Sequence, residues 1–184
     1  MVSISEHRIQ ILNDRDIRSG EYVLYWMQQS QRVEHNPALD HAICEANRLK
    51  QPLVVAFGLT AAYPEANLRH FTFMLEGLQE VQSGLQAKGI RTAVRLGDPP
   101  QVALELGRHA SLIVCDVGYT RHQRQWRRTV ASEALCRVVQ VESDAVVPVA
   151  VVSGKAEYAA RTLRPRIHKH LDGYLKLGRS TRPR

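Results

Sequence analysis

The chain has 184 residues, 44% of them apolar and 23% charged, with a formal net charge of +7. That length suits one domain with a core of its own, and the composition excludes a disordered chain. No apolar run approaches the ~18 residues of a membrane span, the charged start lacks a signal-peptide stretch, and Cys44, Cys115 and Cys136 have no ligand spacing, so the sequence reads as a cytoplasmic protein with reduced thiols, no membrane partner and no metal site.

Residues 1–20 read as an N-terminal extension. Residues 21–28 (EYVLYWMQ) are β-branched and aromatic, which predicts a strand. Asn36-Pro37 then supplies an N-cap and a first-turn proline for a helix carrying Leu39, Ala42, Ile43, Ala46 and Leu49. Residues 52–59 (PLVVAFGL) form a continuous apolar run, as in a strand covered on both faces. Tyr63-Pro64 opens a second helix with Leu68, Phe71, Leu75, Leu78, Val81 and Leu85 on one stripe, closed by Lys88-Gly89.

Residues 90–96 predict a third strand, and Asp98 a cap for a helix from Pro99. Residues 112–117 predict a fourth, buried strand. Tyr119 or Thr120 opens a helix that turns Trp126, Val130 and Ala134 inward, and residues 138–141 predict a fifth strand. Pro148 keeps residues 146–152 out of a central strand. Short helices are expected over 157–163 and 167–177. Strands alternating with crossover-length helices argue an α/β fold, a doubly wound sheet of five parallel strands with helices on both faces.

In such a sheet a ligand lies beyond the carboxyl ends of the strands, at the switch point. Those ends are residues 27–32, 57–63, 96–98, 116–121 and 142–144. No GxGxxG, GxxxxGK[ST] or GxSxG motif is present, which argues against a dinucleotide dehydrogenase, a P-loop enzyme and an α/β-hydrolase. The polar loop from Gln28 to Arg32 can donate hydrogen bonds to a ligand or satisfy its own backbone. Asp116 can accept from a ligand, or cap the next helix. Arg121, Arg124, Arg127 and Arg128 crowd a stretch without an acid and can grip phosphates or form the wet face of a helix. His35, His41 and His70 near helix starts read as surface or capping residues.

The charge is uneven. Residues 161–184 hold eight Lys or Arg and one Asp, so the body is neutral and the tail carries the whole +7.

Residues 22–32 (YVLYWMQQSQR), Asn36-Pro37-Ala38-Leu39, residues 63–70 (YPEANLRH), 116–121 (DVGYTR), 140–149 (QVESDAVVPV) and 155–167 (KAEYAARTLRPRI) together resemble the N-terminal domain of class II cyclobutane pyrimidine dimer photolyases, in the photolyase/cryptochrome family. The resemblance runs over about residues 8–177, in the family's order. It implies a Rossmann-like antenna domain over 21–153 and a basic linker over 154–184 that leads to a helical FAD-binding domain, in cis or as a separate chain. FAD, the electron-transfer tryptophans and damaged DNA would belong to that domain, so the resemblance carries no catalytic residue to this chain and implies no repair activity for it alone. It implies an antenna pigment of deazaflavin or folate type, in a mouth formed by Trp26, Met27, Gln28, Phe57, Asp116 and Tyr119. The alternative is a stand-alone small-molecule or protein-binding module of photolyase-like fold without repair. A nucleic-acid module using the tail and the α-helical arginines ranks last, because the body is neutral.

Overall fold

The computed structural model describes residues 4–175 and 181–183. A 3-10 turn, Glu6–Arg8, precedes β1 (Ile9–Ile11). Then follow β2 (Tyr22–Trp26), α1 (Pro37–Leu49), β3 (Leu53–Leu59), α2 (Leu68–Ala87), β4 (Arg91–Leu96), α3 (Pro99–Gly107), β5 (Ala110–Asp116), α4 (Arg121–Glu133) and β6 (Arg137–Val141). A four-residue helix α5 (Val149–Val152) and α6 (Ala160–Tyr174) complete the chain.

The six strands form one sheet in the order β1-β6-β5-β2-β3-β4. β2 to β6 are parallel, as expected. The sixth strand comes from the N-terminal extension. β1 pairs antiparallel with β6, matching Ile9 to Val141 and Ile11 to Val139, and so closes an edge that would otherwise offer unpaired backbone. A three-residue strand in a charged segment has too little periodicity to announce itself.

Alternation along the strands divides the core into two layers. Val23 and Tyr25 of β2, with Met27 just after it, face α1 and α2, with Leu39, Ile43 and Leu85. Leu24 and Trp26 face α3 and α4, with Ala103, Ile113 and Val130. The chain winds from β2 outward to β4, returns through α3, and builds β5 on the other side of β2. The switch point therefore lies between the carboxyl ends of β2 and β5, where Trp26 is in register with Cys115.

Two helix boundaries differ from expectation. α2 starts at Leu68, not at Tyr63-Pro64, because Asn67 and His70 form a reciprocal capping box. Its first half lies beyond the sheet: only Leu78, Val81 and Leu85 are buried, while Leu68 and Phe73 are 82% and 81% exposed. The two short helices expected in the tail are one helix, α6, that runs through Pro165 and is exposed or half-buried throughout; Leu177 lies outside the described residues. No described helix is long and apolar enough to cross a membrane.

The end of β3 meets the start of α3 at Gly58, where a Cβ would stand 2.6 Å from Pro99 Cα. Gly58→Ala should therefore push α3 away and destabilise the fold by about 1–3 kcal/mol in urea unfolding. Gly77→Ala, in open space on α2, should stabilise it by about 0.5–1 kcal/mol.

Candidate functional site

The loop that leaves β2 is shaped by one buried carboxylate. The backbone N–H groups of Gln28, Gln29 and Ser30 donate to Asp116 Oδ2 at 3.0, 3.0 and 3.1 Å. The Tyr25 hydroxyl donates to Asp116 Oδ1 at 2.7 Å, and Gln28 Nε2 to the Asp116 carbonyl at 3.2 Å. Asp116 is fully buried. Burial pushes its carboxyl above the usual range, and the donors from Gln29, Tyr25, Gln28 and Ser30 pull it back in part. Burial and the neighbouring carboxylate raise the Tyr25 phenol well above its usual value, so it stays a donor.

The rest of the loop is tied in the same way. Asn36 caps α1 by accepting from the Leu39 N–H at 3.0 Å, while its Nδ2 donates to the Ser30 and Arg32 carbonyls at 2.9 and 3.0 Å. Ser30 Oγ and Arg32 Nη1 both donate to Asp144 Oδ1, at 2.6 and 3.0 Å. The N-terminus of α1 is also closed by Ser143 Oγ, which accepts from the Ala38 N–H at 3.0 Å. Successive N–H groups of this kind, next to a helix N-terminus, are where many α/β folds hold a phosphate. Here protein oxygens take every one of those donors, so the loop's backbone is not offered to a ligand.

What remains open is beside the loop. A cavity of about 500 Å³ runs from the ends of β2 and β3 to the start of α2. Trp26, Met27, Gln28 and Phe57 line it, with Met74 of α2, Pro99 of α3, and Gln123 and Trp126 of α4. Tyr63, His122 and Trp126 meet edge to face at its rim, with centroids 4.7 Å apart for Tyr63–His122 and 5.1 Å for His122–Trp126. Gln123 Nε2 donates to Gln29 Oε1 at 2.6 Å and links α4 to the loop.

Among the described residues, two buried side-chain polar atoms have no partner: the Trp26 indole N–H and Gln28 Oε1. Both side chains line this cavity. An orphaned buried donor or acceptor costs about 1–3 kcal/mol, so each of these two atoms gains from any partner that reaches it.

Of the six residues expected to form the mouth, four line the cavity and two do not. Asp116 faces the loop, where both its carboxylate oxygens accept from protein donors, and it does not cap α4, which Thr120 and Gln123 cap instead. Tyr119 donates to Glu142 Oε1 at 2.5 Å, on the far side of the β5 end. Burial and that bond raise its phenol far above the usual value. The lining contributed by Met74, Pro99 and Trp126 went unassigned in the sequence, since an apolar residue facing a cavity has the same local pattern as one facing the core. No group of three or more described His, Cys, Asp or Glu residues could hold a metal.

The model of the DNA photolyase family matches residues 23–183. The chain belongs to that family. It is 44% identical over 174 residues to a deoxyribodipyrimidine photo-lyase of Methanothermobacter thermautotrophicus, covering 94% of this chain and 39% of that protein. The enzyme of the same name from Potorous tridactylus is 38% identical, over 83% of this chain and 29% of its own length. That from Arabidopsis thaliana is 34% identical, over 95% and 37%. The chain thus spans about two fifths or less of these photolyases. A solved archaeal photolyase from Sulfolobus tokodaii, described as holding two FAD molecules with the implication of a novel light-harvesting cofactor, shares the fold at a TM-score of 0.67 and 15% identity, over 88% of this chain and 37% of that one.

In this photolyase-family chain the Asp116 clamp holds the cavity wall. Asp116→Asn keeps the size but replaces one acceptor oxygen by donors that face other donors. It should cost about 3 kcal/mol or more in urea unfolding, with the Tyr25 or the loop bonds lost.

Proposed function

We propose that the chain is the antenna portion of a class II deoxyribodipyrimidine photolyase, a light-driven lyase that repairs cyclobutane pyrimidine dimers. The observation that carries the antenna reading is the pair of unpartnered polar atoms, Trp26 Nε1–H and Gln28 Oε1, at the cavity beside the switch point. The walls are flat and apolar, from Trp26, Phe57, Met74 and Trp126, and suit a planar ring system. A deazaflavin or a folate pterin carries a ring carbonyl next to an N–H, which matches one free donor and one free acceptor. Trp26 and Gln28 would hold those ring edges, and Phe57 and Met27 would exclude water. When bound, such a pigment absorbs light and passes the excitation on. The motifs shared with class II photolyases support the class, and the Sulfolobus tokodaii photolyase, described with two FAD molecules and an implied light-harvesting cofactor, supports a light-harvesting pigment in addition to one FAD.

FAD, damaged DNA and the helical domain that holds both are the proposed partners of this portion. Coverage supports this, since the chain spans 39% and 37% of two of its photolyase relatives and leaves room in them for such a domain. The proposed compartment is the cytoplasm, where free Cys44, Cys115 and Cys136 stay reduced.

The test is titration of the purified chain with an 8-hydroxy-5-deazaflavin and with methenyltetrahydrofolate, read by absorbance and fluorescence. One of them should bind with a shifted absorption band. Gln28→Leu removes the orphaned acceptor together with the Nε2 bond to the Asp116 carbonyl, so it should cost about 1–3 kcal/mol in urea unfolding while the chain still folds, and weaken binding about tenfold or more. No spectral change with either compound, or equal binding by Gln28→Leu, would refute the antenna reading.

A further inference from the structure

α4 separates two unlike surfaces. Gln123 and Trp126 face the cavity described above. The other side of the helix, with Arg124, Arg127, Arg128 and Ser132, forms one wall of a groove of about 740 Å³. Asn13, Asp14 and Arg15, between β1 and β2, form the opposite wall. The floor is two amides, Gln10 of β1 and Gln140 of β6.

The floor is fixed. Gln140 Nε2 donates to Gln10 Oε1 at 2.6 Å, and Gln140 Oε1 accepts from Arg127 Nε at 3.0 Å. Arg127 also donates through Nη1 to the Gln123 carbonyl at 3.4 Å. Only 8% of this residue is exposed. Burial, with Arg124 adding to it, pulls its guanidinium below the usual value. Its Nη2 has no protein partner among the described residues.

Three physical costs are concentrated here. The groove brings together four arginines with a single acid, Asp14, and none of the four is within ion-pair distance of a described carboxylate. Arg124 and Arg128 stand at i and i+4 on one helix face, where like charges repel. Arg121 and Arg124 fall in the first turn of α4, the end of the helix dipole that disfavours cations. Packing explains none of this, since Arg124 and Arg128 are exposed and their side chains make no hydrogen bond among the described residues. An anionic ligand removes all three costs at once.

We propose that this groove binds adjacent phosphate groups. The guanidinium fork pairs with phosphate oxygens in a bidentate manner. Arg124 and Arg128 on one wall and Arg15 on the other can grip neighbouring phosphates, while the Gln10 and Gln140 amides and Arg127 define the floor. The phosphates can belong to a free polyphosphate chain or to the backbone of a DNA strand, and both present the same chemistry to the groove. The site is separate from the pigment cavity and does not rest on the antenna reading.

The experiment titrates the full chain with inorganic tripolyphosphate by calorimetry and with a labelled single-stranded oligonucleotide by fluorescence anisotropy, across a salt series. Two variants are compared, Arg124→Gln with Arg128→Gln, and Arg161→Gln with Arg164→Gln and Arg166→Gln in α6. At least one probe should bind. The α4 variant should melt as the parent does, bind about tenfold or more weakly, and, for the oligonucleotide, lose about 1 from the salt slope per phosphate contact removed. The α6 variant should bind as the parent does. Binding of tripolyphosphate assigns a free polyphosphate; binding of the oligonucleotide alone assigns a DNA backbone. The proposal is overturned if neither probe binds, if the α4 variant binds unchanged, or if the α6 variant loses as much as the α4 variant, which would mean diffuse attraction to a basic surface.

Discussion

The fold depends on a single carboxylate at the junction of its two halves. Asp116 ends β5, and the loop after β2 wraps three consecutive N–H groups around one of its oxygens. Parallel neighbours that are far apart in sequence are thereby joined at their carboxyl ends, where the sheet's own ladder stops. The bond set also decides what the switch point can bind. A loop of inward-turned amides beside a helix start is an anion site in many α/β proteins. Here the protein supplies the anion. A phosphate has no free donors there, and the open space shifts sideways to a cavity with aromatic walls and two unmatched polar atoms.

The parts of the sheet that could be read in the sequence were those with unbroken apolar runs. β3 and β5 lie in the middle of the sheet, covered on both faces, and their composition states as much. Asn36-Pro37 marked the start of α1 because capping is a local interaction. β1 was not legible, since three residues become a strand only when β6 is there to pair with. The start of α2 was displaced because Asn67 and His70, polar residues that cap each other, outweigh the proline before them.

The same division runs through the site. Trp26, Met27, Gln28 and Phe57 were named as mouth residues through the family resemblance, and their place at or beside strand ends agrees with where the topology puts a ligand. The role of Asp116 was not legible, because its partners lie 86 to 88 positions away and are backbone groups with no sequence signature. The one local hint was an acid at the end of a largely apolar strand. Tyr119 belongs to another network, in which Glu142 accepts from it and from the Val149 N–H at 3.0 Å. Arg8 reaches the same region, donating to the Ala145 carbonyl at 2.8 Å and lying 5.5 Å from the Tyr174 ring centroid. Arg8 thus adds a link between the extension, the β6 exit and the end of α6, a helix that also packs on α5 and pairs Arg166 with Glu157 at 3.6 Å.

In the antenna reading a ligand acceptor pairs with the Trp26 indole N–H. With two tryptophans in the chain, the indole region of a nitrogen–proton correlation spectrum has two signals to assign. On addition of the pigment, the Trp26 indole proton should move downfield and exchange more slowly, while that of the half-buried rim residue Trp126 changes less. A pigment that binds and leaves the Trp26 signal in place would contradict the account.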